Sequence, residues 1–212
     1  MNPSEASPAS LDRREVVAQL LSGRGDALLI TGLGSTTWDA AAVGDGAANF
    51  YVWGGMGGAA MIGLGLALAR PERRILVITG DGEMLMGLGA LATIAVQRPK
   101  NLAVVVIDNE VYGETGMQFT HTRHGVDLAG MAAAAGFESA RTVYTQSDLN
   151  TLSTVLYDAP GPLFADIKVS TERHETVLPP RDGTYLKHRF RRALLGDAEE
   201  GALATTLAGR DS

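Results

Sequence analysis

Two stations in this 212-residue chain combine an acid or amide with glycine directly after a continuous apolar run. Gly80-Asp81-Gly82-Glu83 follows residues 74–79, and Asp108-Asn109-Glu110-Val111-Tyr112-Gly113 follows residues 102–107. Asp81 and Asn109 stand 28 residues apart, one strand–helix–strand unit, so parallel packing would bring both side chains to one edge of a sheet. A carboxylate and a carboxamide oxygen, completed by a backbone carbonyl, are hard ligands suited to Mg²⁺, which fills its octahedron with water and phosphate oxygens. A magnesium diphosphate is therefore expected at this edge. An aspartate between glycines also caps a following helix, which is the plainer reading of Asp81 taken alone. A third station, Gly34-Ser35-Thr36, offers backbone amides and hydroxyls to phosphate oxygens, or Ser35 or Thr36 simply caps a helix. The dinucleotide fingerprint is absent from the right place and there is no phosphate-loop lysine motif, which disfavours nicotinamide and nucleoside triphosphate.

The segments that must carry these stations alternate between short apolar runs and longer stretches of helical period. That alternation predicts an α/β fold, doubly wound, with a mainly parallel sheet and helices on both faces. Strands are expected at residues 26–31, 74–79, 102–108 and 163–169, and helices at 13–21, 58–70, 83–97, 127–135 and 146–157. Residues 109–125 are too polar and glycine-punctuated for regular structure, and this loop holds His121 and His124. The domain is placed at 13–170, with a flexible lead-in at 1–12. A C-terminal extension, 171–212, carries a basic amphipathic stretch at 185–195 and covers the domain or binds a partner.

Composition narrows the chemistry. A net charge of −6 repels a phosphate backbone, so nucleic acid is not an expected partner. Zero cysteines exclude disulfides, thiolate metal sites and cysteine nucleophiles, and fit a cytoplasmic, reducing setting. Residues 50–69 are uncharged but interrupted by six glycines, which reads as a loop feeding a short buried helix, not a membrane span. The 26 glycines are the compositional outlier, and they gather at the strand ends.

Taken together, Gly80-Asp81-Gly82 and Asp108-Asn109 resemble the metal motif of thiamine diphosphate (ThDP) enzymes, Gly-Asp-Gly followed one unit later by Asn-Asn. Asp108 replaces the first asparagine, while Asn109 keeps the one that ligates metal. The resemblance implies a PP-type, diphosphate-binding domain in which Asp81, Asn109 and the carbonyl of Val111 hold Mg²⁺. By the same resemblance Gly34, Ser35, Thr36, Gly55, Met56, Gly57, Gly80, Gly82, Glu83, Tyr112 and Gly113 contact ThDP. Met56 takes the place of the apolar wedge that bends the cofactor.

Within the family, the runs from Gly82 to Ile94 and from Tyr112 to Thr120 are most similar to the small (beta) subunits of the sulfopyruvate and phosphonopyruvate decarboxylase group. The implied activity is decarboxylation of a small 2-oxoacid to an aldehyde. Thr115 and Gln118 are expected to line the substrate pocket, and Glu114, His121 and His124 to move protons or bind an acidic group. His121, Arg123 and His124 read equally well as a solvated loop, and Glu114 as a salt-bridge partner of Arg123. The resemblance also implies a separate pyrimidine-binding alpha subunit that supplies the catalytic glutamate, in a hetero-oligomer with at least two copies of each chain. The nearest alternatives are a 2-oxoacid:ferredoxin oxidoreductase beta subunit, which the missing cysteines disfavour, an acetolactate-type carboligase, and a non-catalytic ThDP-binding subunit.

Overall fold

The structure, a computed structural model, describes residues 11–208, with side chains described as far as residue 196. The expected flexible lead-in lies outside the described residues except for Leu11 and Asp12, which belong to the ordered fold. Leu11 is buried, and the Asp12 carboxylate accepts hydrogen bonds from the Arg14 and Glu15 N–H groups, both at 2.9 Å. That cap starts α1 (Arg13–Ser22), whose Val16, Val17, Leu20 and Leu21 form the inward stripe.

The chain then alternates as follows. β1 (Leu28–Thr31), α2 (Ser35–Val43), β2 (Asn49–Tyr51), α3 (Ala59–Ala69) and β3 (Ile75–Gly80) make the first half. α4 (Asp81–Met86), α5 (Gly89–Gln97) and β4 (Leu102–Asp108) follow. A small antiparallel pair, β5 (Val111–Tyr112) and β6 (Gln118–Phe119), precedes a 3₁₀ turn, His121–His124. α6 (Leu128–Ala135), β7 (Ser139–Val143), α7 (Gln146–Val155) and β8 (Leu163–Lys168) complete the sheet, and α8 (Gly183–Ala208) closes the chain.

Six parallel strands lie in the order β2-β1-β3-β4-β8-β7. The expected doubly wound α/β architecture is thus present. Its core is split by the sheet according to the two-residue strand period. Leu28, Ile30, Val77, Val104 and Val106 pack beneath α3, α5 and α6, while Leu29, Leu76, Ile78, Val105 and Ile107 pack against α1 and α7. Covering both faces explains why the central strands read as unbroken apolar runs. Winding reverses between β1 and β3, since the chain goes outward to β2 and returns on the other side of β1. A ligand crevice belongs beyond the carboxyl ends of that pair.

The single helix expected at 83–97 is two. Gly87 interrupts it because its backbone lies against Gly57, so that a Cβ at Gly87 would fall 2.2 Å from the Gly57 carbonyl oxygen. The uncharged stretch at 50–69 is β2, a glycine loop and α3, and no helix among the described residues is long and apolar enough to cross a membrane. Residues 171–182 form an extended strap that leads to α8. Trp53 Nε1–H donates to the Pro180 carbonyl at 3.0 Å, and buried Leu186 and Phe190 anchor α8, with the Phe190 and Phe50 rings 5.4 Å apart. Arg189 clamps Asp45 with two hydrogen bonds, at 2.6 and 3.0 Å.

Candidate functional site

A cavity of about 410 Å³ opens at the carboxyl ends of β1, β3 and β4, at the reversal of winding. The loop after β1 contributes Gly34 and Ser35, the start of α4 contributes Gly80, Asp81 and Gly82, and the segment after β4 contributes Asn109, Val111, Tyr112 and Gly113. Met56, Glu114 and Thr115 complete the residues that sequence reasoning placed here. The two distant stations therefore meet in one space.

Asp81 is only 2 % exposed. Burial, reinforced by the nearby charge of Asp108, pushes its carboxyl up to about 7. The Thr120 and Thr122 hydroxyls donate to Asp81 Oδ2, and Thr122 also lies 2.9 Å from Asp108 Oδ1. Asp108 in turn holds Lys168 Nζ at 2.6 Å, an ion pair across β4 and β8 that also reaches Glu110 at 3.2 Å. Asn109 Oδ1 accepts the Val111 N–H at 3.1 Å, a local turn that presents the amide and the Val111 backbone side by side. Glu110 between them takes a left-handed φ of 63°. Among the described residues, no group of three or more histidine, cysteine, aspartate or glutamate side chains is arranged to hold a metal ion by itself. A cation here would rest on a mixed set of one carboxylate, one amide and one carbonyl, the set that suits Mg²⁺ with phosphate oxygens.

The diphosphate side of the cavity is built by absence of side chains. Gly34 is the N-cap of α2, at φ 76° and with no side-chain capping bond, so the first amides of a nine-residue helix have no competing side-chain cap, and Gly34 and Ser35 line the cavity. Neither Ser35 nor Thr36 caps the helix. Thr36 is buried, its hydroxyl donates to the Gly32 carbonyl at 3.2 Å, and it does not line the cavity. Gly55 and Gly57 are not in the lining either; Gly57, at φ 87°, carries the turn that presents Met56 to it. Gly82 has no room for a Cβ because the Tyr112 ring packs on it.

Glu83, expected as a cofactor contact, lines the cavity and is also engaged behind it. Its carboxylate is turned inward, where Oε2 accepts the Leu33 N–H at 2.8 Å in a space that a side chain at Gly32 would fill. Burial raises its pKa, opposed by hydrogen bonds from Leu33, Thr79 and the backbone of Gly57 and Ala59. A carboxylate offers no donor to a diphosphate, and here it serves the backbone of the surrounding loops.

The residues expected around substrate divide. Glu114 rests against Gly34, and burial raises its pKa against the opposing charge of Arg13. Arg123 pairs with Glu110 at 3.0 Å, not with Glu114, and its guanidinium lies over Phe119 at 5.3 Å. Gln118, His121 and His124 are exposed and lie outside the cavity; Gln118 is bonded to Thr115, and His124 meets Phe119 edge-on. Sequence reasoning did not find Arg13, Trp38, Met117 or the strap residues Thr171 to His174 and Thr176, all of which line the cavity. The extension was expected to cover the domain or bind a partner, but nothing in the strap's irregular pattern signals which of its residues reach the cavity.

Residues 32–167 match the family described as thiamine pyrophosphate enzyme, C-terminal TPP binding domain. The chain is 36% identical to a sulfopyruvate decarboxylase subunit beta of Methanothermobacter thermautotrophicus over 90% of its own length and 99% of that protein. It is 39% identical to a phosphonopyruvate decarboxylase of Streptomyces hygroscopicus over 74% of its length, spanning 37% of that longer protein. Among solved structures, a thiamin diphosphate-dependent enzyme from Mycobacterium smegmatis superposes with a TM-score of 0.66 at 24% identity over 77% of this chain and 32% of its own. Benzoylformate decarboxylase from Polynucleobacter necessarius gives 0.63 at 17% identity, over 83% of this chain and 36% of its own. Those two likenesses show the fold. With the matched segment running from the loop after β1 to the end of β8, the chain belongs to the thiamine pyrophosphate enzyme family, as its TPP-binding domain.

Proposed function

We propose that this chain is the beta subunit of a ThDP- and Mg²⁺-dependent 2-oxoacid decarboxylase that acts with a separate pyrimidine-binding alpha subunit. The observation that carries the reading is the meeting of Asp81 and Asn109, from loops 28 residues apart, in one cavity at the point where the sheet reverses its winding. Bound ThDP supplies an acidic thiazolium carbon and an electron sink for the bond to the departing carboxylate. In this reading Asp81, Asn109 and the Val111 carbonyl hold the cation, and the backbone amides of Gly34 and Ser35 at the start of α2 meet the diphosphate, with Thr36 behind them. Met56 sets the cofactor's bend, Glu114 holds a proton near the mouth, and Thr115 orients the substrate. Gln118, His121 and His124 reach a substrate only from the rim, beside the exposed Phe119.

The glutamate that activates the cofactor in this family comes from a pyrimidine-binding domain, and relatives covering nearly their full length are named subunit beta. A hetero-oligomer with at least two copies of each chain, in the cytoplasm, fits that arrangement. The substrate class is a small 2-oxoacid of the sulfopyruvate or phosphonopyruvate kind. Calorimetry of the assembled pair is expected to show Mg²⁺-dependent ThDP binding that Asp81→Ala weakens by more than about tenfold, since even residues behind a metal ligand cost that much. Unchanged affinity in Asp81→Ala, or no ThDP affinity at all, overturns the reading.

A further inference from the structure

We infer that Arg173, presented by the strap, is the residue that selects substrates carrying a second, distal anion, a sulfonate or phosphonate on the 2-oxoacid. The inference rests on the decarboxylase reading and names the substrate contact within that site. The strap is pinned on both sides of Arg173. Ser170 N–H donates to the Leu11 carbonyl at 2.8 Å, His174 Nε2 lies 2.7 Å from Asp12 Oδ2, and Arg14 Nη2 donates to the Glu175 carbonyl at 2.7 Å. Between those anchors Arg173 lines the cavity, and among the described residues its guanidinium has neither an ion pair nor a hydrogen bond.

The other cations near this wall are committed. Arg13 and Arg14 converge on buried Asp39, at 3.1 and 3.0 Å, and His174 is held by Asp12. Trp38 also lines the cavity, and its buried Nε1–H has no acceptor, which makes it a second candidate donor at the site. A guanidinium fork and an indole N–H together match a tetrahedral oxyanion, which takes several donors at once. The cofactor's own phosphates have other partners in the cation at Asp81 and the uncapped start of α2. Glu172 also lines the cavity, and its charge opposes an incoming anion, which sets a counter-test.

The experiment is steady-state kinetics of the assembled enzyme with 3-sulfopyruvate, 3-phosphonopyruvate and uncharged-tail 2-oxobutyrate, alongside calorimetry of Mg²⁺-ThDP. Arg173→Ala is expected to lower kcat/KM for the two doubly anionic substrates by about 10- to 100-fold through KM, the scale of a lost charged hydrogen bond. The 2-oxobutyrate rate and the ThDP affinity stay unchanged, Arg173→Lys recovers part of the loss, and Glu172→Gln lowers KM for the doubly anionic pair. An equal loss on all three substrates, or a parallel loss of ThDP affinity, overturns the inference. A wild-type enzyme that binds ThDP but prefers 2-oxobutyrate also overturns it while leaving the decarboxylase reading intact, whereas absence of ThDP binding removes both.

Discussion

Glu83 Oε2 accepts the Leu33 N–H at 2.8 Å, which ties the start of α4 to the loop leaving β1. The bond lies in the interior, with Glu83 only 4 % exposed, so its loss strands a buried amide. Glu83→Ala is expected to cost about 1–3 kcal/mol. For a chain of this size that lowers Tm by about 2–4 °C per kcal/mol. Gly32→Ala should do at least as much harm, because a Cβ there would fall 1.8 Å from the same carboxylate oxygen. Thermal unfolding of the two variants checks both, and an unchanged Tm in each would show that the contact is not made.

The pairing of Lys168 with Asp108 accounts for the one departure in the metal motif. Where the motif that the sequence resembles has asparagine, the buried aspartate here is neutralised across the sheet at 2.6 Å. Lys168→Met leaves that charge uncompensated and is expected to destabilise by about 3–5 kcal/mol. Combining it with Asp108→Asn should recover most of the loss. Urea unfolding of the two single variants and the double variant measures the coupling, and additive losses would contradict it.

Asp166 gives the stability of the chain a pH dependence. Burial first, and then the charge of Asp108, push its carboxyl up to about 8. An unfolded aspartate titrates near ~4, so between those values the folded chain keeps a proton that the unfolded chain has released. The contribution is complete below the lower value and is lost as pH rises through about 8. Without magnesium, the urea midpoint should fall between pH 5 and pH 8.5, and Asp166→Asn should flatten the slope, leaving the part due to Asp81. A midpoint that rises over this interval in both proteins would refute the assignment.

Met56 tests the cofactor's geometry separately from its charge. It is 37 % exposed, at the cavity, on a loop of glycines. In the assembled enzyme Met56→Ala is expected to lower kcat by tenfold or so while Mg²⁺ dependence is kept, since about 1.4 kcal/mol of misplacement is a factor of ten. Met56→Leu, close in volume, should retain most of the rate. Loss of metal dependence in Met56→Ala would mean that the side chain supports the cation site instead.

The central strands were legible because burial on both faces leaves a continuous apolar run, as in Leu102–Asp108. The edge strands were not. Asn49–Tyr51 is three residues long, and Ser139–Val143 has polar residues with partly exposed faces, so neither carries the apolar run that marks a covered strand. The break at Gly87 was invisible because its cause, the Gly57 backbone, is remote in sequence. At the site, Asp81 and Asn109 were legible because cation ligation demands their chemistry at strand ends. The inward turn of Glu83 was not, since a buried carboxylate and a ligand contact share one residue type. Arg13, Trp38 and the strap were missed because long-range folding, not a local pattern, brings them to the cavity.

The contact between Gly57 and Gly87 acts as an internal ruler. Backbone meets backbone there, with 2.2 Å left for any Cβ at Gly87, so the spacing between the loop bearing Met56 and the helix that begins at Asp81 is set by the thickness of two peptide planes. Rotamer changes elsewhere cannot lengthen or shorten that gauge. Sequence drift at this point has only two settings, both glycines retained or the gauge broken.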